Sequence, residues 1–188
     1  MDPRLNTAGP TLIVLAEHKE PVYDKSGLCL ITSSVRRPSP DVLDPKIHHC
    51  NLIQSILAKI EATHAGADDA LMLDQRGFVA ETNATHLFIV EGDTVVTSRL
   101  VACPEGITRD VVLNLCRQND IDHEIRDYSL TEVYRADEMF CTGTMGELAP
   151  VTQVDGRTIG SGEIGSMTQR LSGLFDQCVA AEAEPVLD

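Results

Sequence analysis

Phe78-Val79-Ala80-Glu81-Thr82-Asn83-Ala84-Thr85-His86-Leu87-Phe88-Ile89-Val90-Glu91-Gly92-Asp93-Thr94-Val95-Val96-Thr97 is the most telling stretch of the chain. Phe78-Val79-Ala80-Glu81 and Leu87-Phe88-Ile89-Val90 are short β-type runs, and Glu91-Gly92-Asp93 reads as a hairpin turn into a third, Thr94-Val95-Val96-Thr97. Just before them, Asp69-Ala70-Leu71-Met72-Leu73-Asp74 predicts another strand, closed by the turn Gln75-Arg76-Gly77.

Working outward, Thr11-Leu12-Ile13-Val14-Leu15-Ala16 and Gly27-Leu28-Cys29-Leu30-Ile31-Thr32 also read as strands. A proline-studded segment, Arg37-Pro38-Ser39-Pro40 through Asp44-Pro45, reads as a crossing segment or linker. From Asn51, a candidate cap, Leu52, Ile53, Ile56, Leu57 and Ile60 share one helical face, and Gly66 marks the end. A second helix after Gly106 turns Val111, Val112, Leu115 and Cys116 inward. Met139-Phe140-Cys141 predicts a strand and Asp155-Gly156 a hairpin turn. The last helix runs from about Ile164 to Ala183, with Met167, Leu171, Leu174, Phe175 and Val179 inward. This is an α+β pattern, without internal repeats.

The 188 residues suit one domain, or one large and one vestigial. Lys plus Arg is 15 against Asp plus Glu 29, a net charge of -14, which argues against nucleic acid as a partner because phosphates need a basic face. The apolar runs are far shorter than the about 20 residues that span a bilayer, so no membrane partner is expected. The N-terminus has no basic region before an apolar core and hence no secretory signal. Cys29, Cys50, Cys103, Cys116, Cys141 and Cys178 form no CxxC pair; buried, reduced thiols in a cytoplasmic protein are the simplest reading. Without a signal, the sequon Asn83-Ala84-Thr85 carries nothing. Gly160-Ser161-Gly162-Glu163-Ile164-Gly165 fits GxGxxG, but a short polar strand precedes it and too little chain follows to complete a βαβ unit; it reads as a turn.

Four local features remain: Lys46 ahead of the first long helix, Glu81 ending an otherwise apolar strand, the turn Gly106-Ile107-Thr108-Arg109 feeding a helix, and Thr142-Gly143-Thr144 after a strand. Singly, each has an ordinary explanation: a solvated loop charge, a surface acid, a helix start capped by Thr108, a turn.

Together, and with Ser34-Val35-Arg36-Arg37, Asn51-Leu52 through Lys59-Ile60-Glu61-Ala62, Leu87-Phe88 and Met145-Gly146-Glu147-Leu148-Ala149-Pro150-Val151, they resemble the class IV (fold-type IV) pyridoxal-phosphate aminotransferases. The wording Ile47-His48-His49 and Glu81-Thr82-Asn83-Ala84-Thr85 is most similar to the branched-chain and D-amino-acid aminotransferase-like subgroup. The resemblance implies the large C-terminal domain of the D-amino-acid aminotransferase-like fold, with mixed sheets around a barrel-like core and helices outside. Residues 1–40 would then be a remnant of a small domain and the interdomain linker, and residues 41–188 the cofactor-binding large domain, most of the N-terminal small domain being absent.

For function it implies pyridoxal 5'-phosphate as cofactor, an amino acid and a 2-oxo acid as small-molecule partners, no metal, and a homodimer. Lys46 would be the Schiff-base amine and proton shuttle. Glu81 would keep the pyridine nitrogen protonated. The N–H groups of Ile107 and Thr108 at a helix N-terminus would hold the phosphate, helped by Thr144 across Gly143. Arg109 reads as structural or rim. In this register the family lysine falls at about Ile47 or His48, so His48 occupies the alternative place; a strand with a small bulge would let Lys46 serve. As strand neighbours, His48 and His49 would face opposite sides, which argues against chelation by both. Pro104 stands where the family has a leucine against the cofactor ring, and His86 where it has an asparagine. A pyridoxal-phosphate lyase of the aminodeoxychorismate type and a non-catalytic relative that keeps the fold for binding or dimerisation are the alternatives.

Overall fold

Nine strands make one sheet in the computed structural model, which describes residues 2–19, 22–23 and 25–183. They are β1 (Leu28–Thr32), β2 (Asp69–Leu73), β3 (Val79–Thr82), β4 (His86–Glu91), β5 (Thr94–Thr97), β6 (His123–Ile125), β7 (Glu138–Gly143), β8 (Glu147–Val154) and β9 (Arg157–Thr158). The helices are α1 (Pro40–Leu43), α2 (Ile53–His64), α3 (Ile107–Gln118), α4 (Leu130–Arg135) and α5 (Ser166–Glu182), with a 3-10 turn at Pro3–Leu5.

The order β3-β2-β1-β8-β7-β4-β5-β6, with β9 beside β8, sets the architecture. β1 runs parallel to β2 and β8, and β5 parallel to β6, while the other pairs are antiparallel. β8 is long enough to pair with β7 through its first half and β1 through its second, which couples the two halves. β3 and β4 follow one another in the chain, yet β2, β1, β8 and β7 lie between them in the sheet. A tight turn joins them, Thr82 N donating to Thr85 O at 2.7 Å, so the sheet curls into a half-barrel, as expected of a barrel-like α+β core.

Both faces of β4 are buried from His86 to Val90, which is why Leu87 to Val90 form a continuous apolar run rather than an alternating one. Leu87 and Ile89 point to an inner cluster with Leu30, Leu71, Val96, Tyr128 and Met139. Phe88 and Val90 point the other way, under Val112, Cys116, Leu171 and Phe175 of α3 and α5. There Phe88 stacks on Phe140 with ring centroids 4.9 Å apart.

Several expectations are corrected. Residues 11–16 are not a strand: they join no sheet, and Leu12 to Leu15 are exposed, Leu12 by 87%. The apolar face of α2 is not buried: Leu52, Ile53, Ile56, Leu57 and Ile60 lie open, while the helix sets Ala58 and Ala62 against Ala70 and Met72. Small side chains permit close approach to β2, and that contact decides which face turns inward. Leu52, rather than Asn51, precedes the helix as its cap residue. Val179 of α5 is exposed, as is Cys50 among the six free thiols.

The glycine-rich stretch after β9 is a turn: Gly160 has φ 52° and abuts Asp137 O, and Gly165 precedes α5. The open end of α5 is filled from within, Glu138 accepting from Met167 N at 2.9 Å and from Thr168 N at 2.8 Å, which leaves no anion site there. β1 lies inside the sheet although its sequence falls before residue 40. Among the described residues no helix is long and apolar enough to cross a membrane.

Candidate active site

The site is built around the turn over residues 82–85. Thr82 Oγ1 accepts from Ala84 N at 3.1 Å and Thr85 N at 2.8 Å, and lies 2.8 Å from Thr85 Oγ1. Asn83 ties the turn to β2 twice: its N–H donates to Ala70 O at 3.0 Å, and its Oδ1 accepts from Ala70 N at 2.9 Å. Thr, Asn and Thr are here for the local hydrogen bonds that short polar side chains offer a bent backbone. The turn delivers Glu81, near the end of β3, and His86, at the start of β4, to one cleft of about 350 Å³.

Lys46 and His48 line that cleft, with Glu81, His86, Pro104, residues 106–109 and residues 142–144. The structure thus brings together Lys46, Glu81, Pro104, Ile107, Thr108, Gly143 and Thr144, which 98 residues of chain separate at their extremes. Lys46 is exposed and lies in a turn, Ile47 N donating to Asp44 O at 3.0 Å and Lys46 N to Asp44 Oδ1 at 3.0 Å. Residues 45–52 form no strand, so the bulged strand that was to let Lys46 serve, and to set His48 and His49 on opposite sides, is corrected: Lys46 and His48 line the same cleft from a turn.

The start of α3 closes one side. Gly106 has φ 67°, and a Cβ there would overlap the His86 ring, so only glycine lets the helix begin so close to the strand. Among the described residues no side chain caps α3, so the first-turn N–H groups of Ile107 and Thr108 stay open to an anion. Gly106 takes the cap position that Thr108 was given on the ordinary reading. Opposite, His86 pairs with Thr142 across β4 and β7, and Gly143 abuts Thr85, whose Cγ2 a Cβ would meet at 2.9 Å.

The polar groups of the wall are incompletely partnered. Among the described residues His86 Nδ1, Arg109 Nε and Thr142 Oγ1 are buried without a hydrogen bond. Buried polar atoms are rarely left so, and three on one cleft point to a polar ligand. Burial, with Arg109 and Arg37 nearby, pushes His86 down to about 4, so its imidazole is neutral at neutral pH. Glu81 contacts the guanidinium of Arg37, with side chains 3% and 12% exposed, and its Oε2 lies 4.0 Å from His86 Nδ1. Arg109 is buried rather than on the rim: Nη2 donates to Ser98 O at 3.0 Å and Nη1 lies 3.5 Å from Asp110 Oδ1. Burial lowers the pKa of both arginines from the ordinary guanidinium value.

Sequence reasoning quoted Gly106 and Thr142 within their turns without giving them a role, quoted Arg37 only within a motif, read Arg109 as structural or rim, and treated His86 only as a substitution. Gly106 carried a local signal, a glycine directly before an amphipathic helix. Arg37 carried none for its part in the site, because what matters is a contact across 44 residues.

The chain has relatives with the same architecture. Residues 3–154 match the family described as amino-transferase class IV. The branched-chain-amino-acid aminotransferase-like protein 2 of Arabidopsis thaliana is 49% identical over 187 residues, 99% of this chain and 34% of that protein. A putative branched-chain-amino-acid aminotransferase of Methanocaldococcus jannaschii is 39% identical over 176 residues, 93% of this chain and 61% of that protein. The chain therefore spans between a third and about three-fifths of the curated relatives it matches. Among solved structures, the branched-chain amino acid aminotransferase of Thermobaculum terrenum, in its PLP-form, superposes with a TM-score of 0.81 at 32% identity, over 86% of this chain and 54% of that one. The branched-chain amino acid aminotransferase of Escherichia coli gives 0.80 at 29% identity, over 86% and 54%. Sequence, fold and the grouping of side chains around one cleft agree: the chain belongs to the class IV aminotransferases.

Proposed function

We propose that the cleft takes pyridoxal 5'-phosphate, and that the chain is the cofactor-binding part of a transaminase that moves an amino group between an amino acid and a 2-oxo acid. The observation that carries this reading is the convergence of Lys46, Glu81, the open start of α3 and residues 142–144 on one cleft whose wall holds unpartnered polar atoms. That donor set fits the group: an amine, a buried acid, and helix N–H groups for a phosphate. A branched-chain substrate is favoured by the names of the relatives, and a D-amino acid by the D-alanine aminotransferase of Bacillus licheniformis, 31% identical over 137 residues.

Pyridoxal phosphate, when bound, supplies an electron sink for the α-carbon of an amino acid. Ile107 N–H, Thr108 N–H and Thr144 would hold its phosphate, with Gly143 lining the same cleft beside Thr144. Pro104 would cover one face of the ring, and Glu81 would hold a proton on the ring nitrogen. Lys46 Nζ would anchor the cofactor and move the α-proton. We assign residues 41–188, with β1 added, to the cofactor-binding domain and the residues before β1 to the lead-in from a small domain. A homodimer is the assembly we propose, the open apolar face of α2 being in keeping with a covered surface in the assembly.

A second reading has its own observation: His48 lines the same cleft as Lys46. If position 48 is the covalent position, the chain binds the cofactor without anchoring it and is a non-catalytic relative. Borohydride reduction of the protein loaded with pyridoxal phosphate, followed by peptide mapping, separates the two. A reduced adduct on Lys46, lost in Lys46→Ala, supports the transaminase. Reversible binding with no adduct supports the second reading, and no binding at all removes both.

A further inference from the structure

Glu81 is a carboxylate with only 3% of its side chain exposed, and a buried acid without a cation takes up a proton rather than stay charged. Its cation is Arg37, 44 residues earlier in the crossing segment, whose guanidinium contacts Oε1. That guanidinium is itself fixed by two other elements. Nη1 donates to Ser55 Oγ of α2 at 3.0 Å, and Nε donates to Ala102 O, in the loop before α3, at 3.2 Å. The Arg37 backbone is fixed as well, its N–H donating to Leu73 O at 2.9 Å and its carbonyl accepting from Gln75 Nε2 at 3.0 Å.

A planar fork anchored at this many points sets the orientation of the carboxylate it meets, which a mobile ammonium would not do as well. One oxygen of Glu81 is thereby committed. The other, Oε2, is on the side of His86, 4.0 Å from an imidazole that lines the cleft and has no partner at that nitrogen among the described residues.

We infer that Arg37 is the positioning residue of this site: it keeps Glu81 ionised and turned so that Oε2 is offered to the protonated ring nitrogen of the ligand. Arg37 does not touch the ligand; it acts through Glu81. The inference rests on the reading of the cleft as a pyridoxal-phosphate site and adds the device that makes its acid usable.

The test uses pyridoxamine 5'-phosphate, which needs no lysine for attachment, and its carbocyclic analogue with CH in place of the ring nitrogen. Dissociation constants for both are measured by calorimetry on the unaltered chain, Arg37→Met and Arg37→Lys, with the absorbance of the bound ring recorded alongside. Arg37→Met is expected to weaken pyridoxamine phosphate about tenfold, shift its absorbance towards the unprotonated ring and leave the analogue within about twofold, while Arg37→Lys recovers most of the loss. Should Arg37→Met fail to fold, Arg37→Gln, which keeps a donor for Ser55 or Ala102 but no charge, serves in its place. Equal losses for both ligands would make Arg37 a structural residue only, and tighter pyridoxamine binding in the variant would mean that Arg37 quenches Glu81; either overturns the inference while the cofactor reading survives. Failure of the unaltered chain to bind either ligand overturns the cofactor reading, and this inference with it.

Discussion

Gly106 lies directly against the imidazole of His86, with no room for a Cβ between them. The cap of one helix and the first residue of one strand therefore share a boundary, and the open N–H groups of α3 are held at a fixed height above the cleft floor.

Gly106→Ala meets two obstacles at once, the contact with His86 and a φ of 67° that side chains other than glycine avoid. We expect a loss of about 2 kcal/mol or more in unfolding free energy. A larger relative loss in affinity for pyridoxamine phosphate is expected too, since α3 must move outward. Urea titration and calorimetry on the same sample read the two effects. Unchanged affinity would show that the helix start does not hold the phosphate.

His86 gives the chain an acid limb. Its folded pKa is about 4 against an ordinary 6.5, so between these values the unfolded chain binds the extra proton and the folded one does not. The contribution is fully present above about pH 6.5 and drains away as pH falls towards 4, by about 3 kcal/mol at most. His86→Asn should flatten that slope. The difference between the two stability-pH curves isolates this group from the carboxylates, and parallel curves would refute its buried neutral state.

Asn83→Ala removes one of the two bonds that tie the 82–85 turn to β2 and leaves Ala70 N without its acceptor. The expected cost is about 1–3 kcal/mol. Because Glu81 and His86 flank the turn, ligand affinity should fall as well, which amide-exchange rates at Ala70 and a binding titration would record together.

On α2, Ile56→Ser with Ile60→Ser alters side chains that are about half exposed and touch little of the core. The isolated subunit should keep its stability within about 1 kcal/mol, since exposed substitutions rarely cost more than a few tenths each. Self-association, followed by sedimentation velocity across a concentration series, should weaken. Identical sedimentation would mean that this face is not where copies meet.

Much of the site was legible because its signals are local. Glu81 ends a β run, Gly106 precedes an amphipathic helix, and Thr142-Gly143-Thr144 follows a strand; each can be read within a few residues. The misreadings share a cause. Periodicity reveals that α2 has an apolar face but not which face finds a neighbour, and here Ala58 and Ala62 outcompete five larger side chains because β2 lies close. The β character of residues 11–16 is a statement about side chains, while a strand also needs an edge to join. Lys46 and His48 were placed on a strand, whereas the chain there is a turn. Arg37 was quoted as part of a motif, but its meeting with Glu81 depends on the curl of the whole sheet.

That curl makes the spacing between residues 81 and 86 a ruler as much as a composition. Inserting or deleting a single residue there would break the hydrogen bonds between Thr82 and Thr85 that close the turn, and so loosen the hold on both the acid and the imidazole. Across homologous chains, loop length at this point should therefore hold constant even where the letters within it drift.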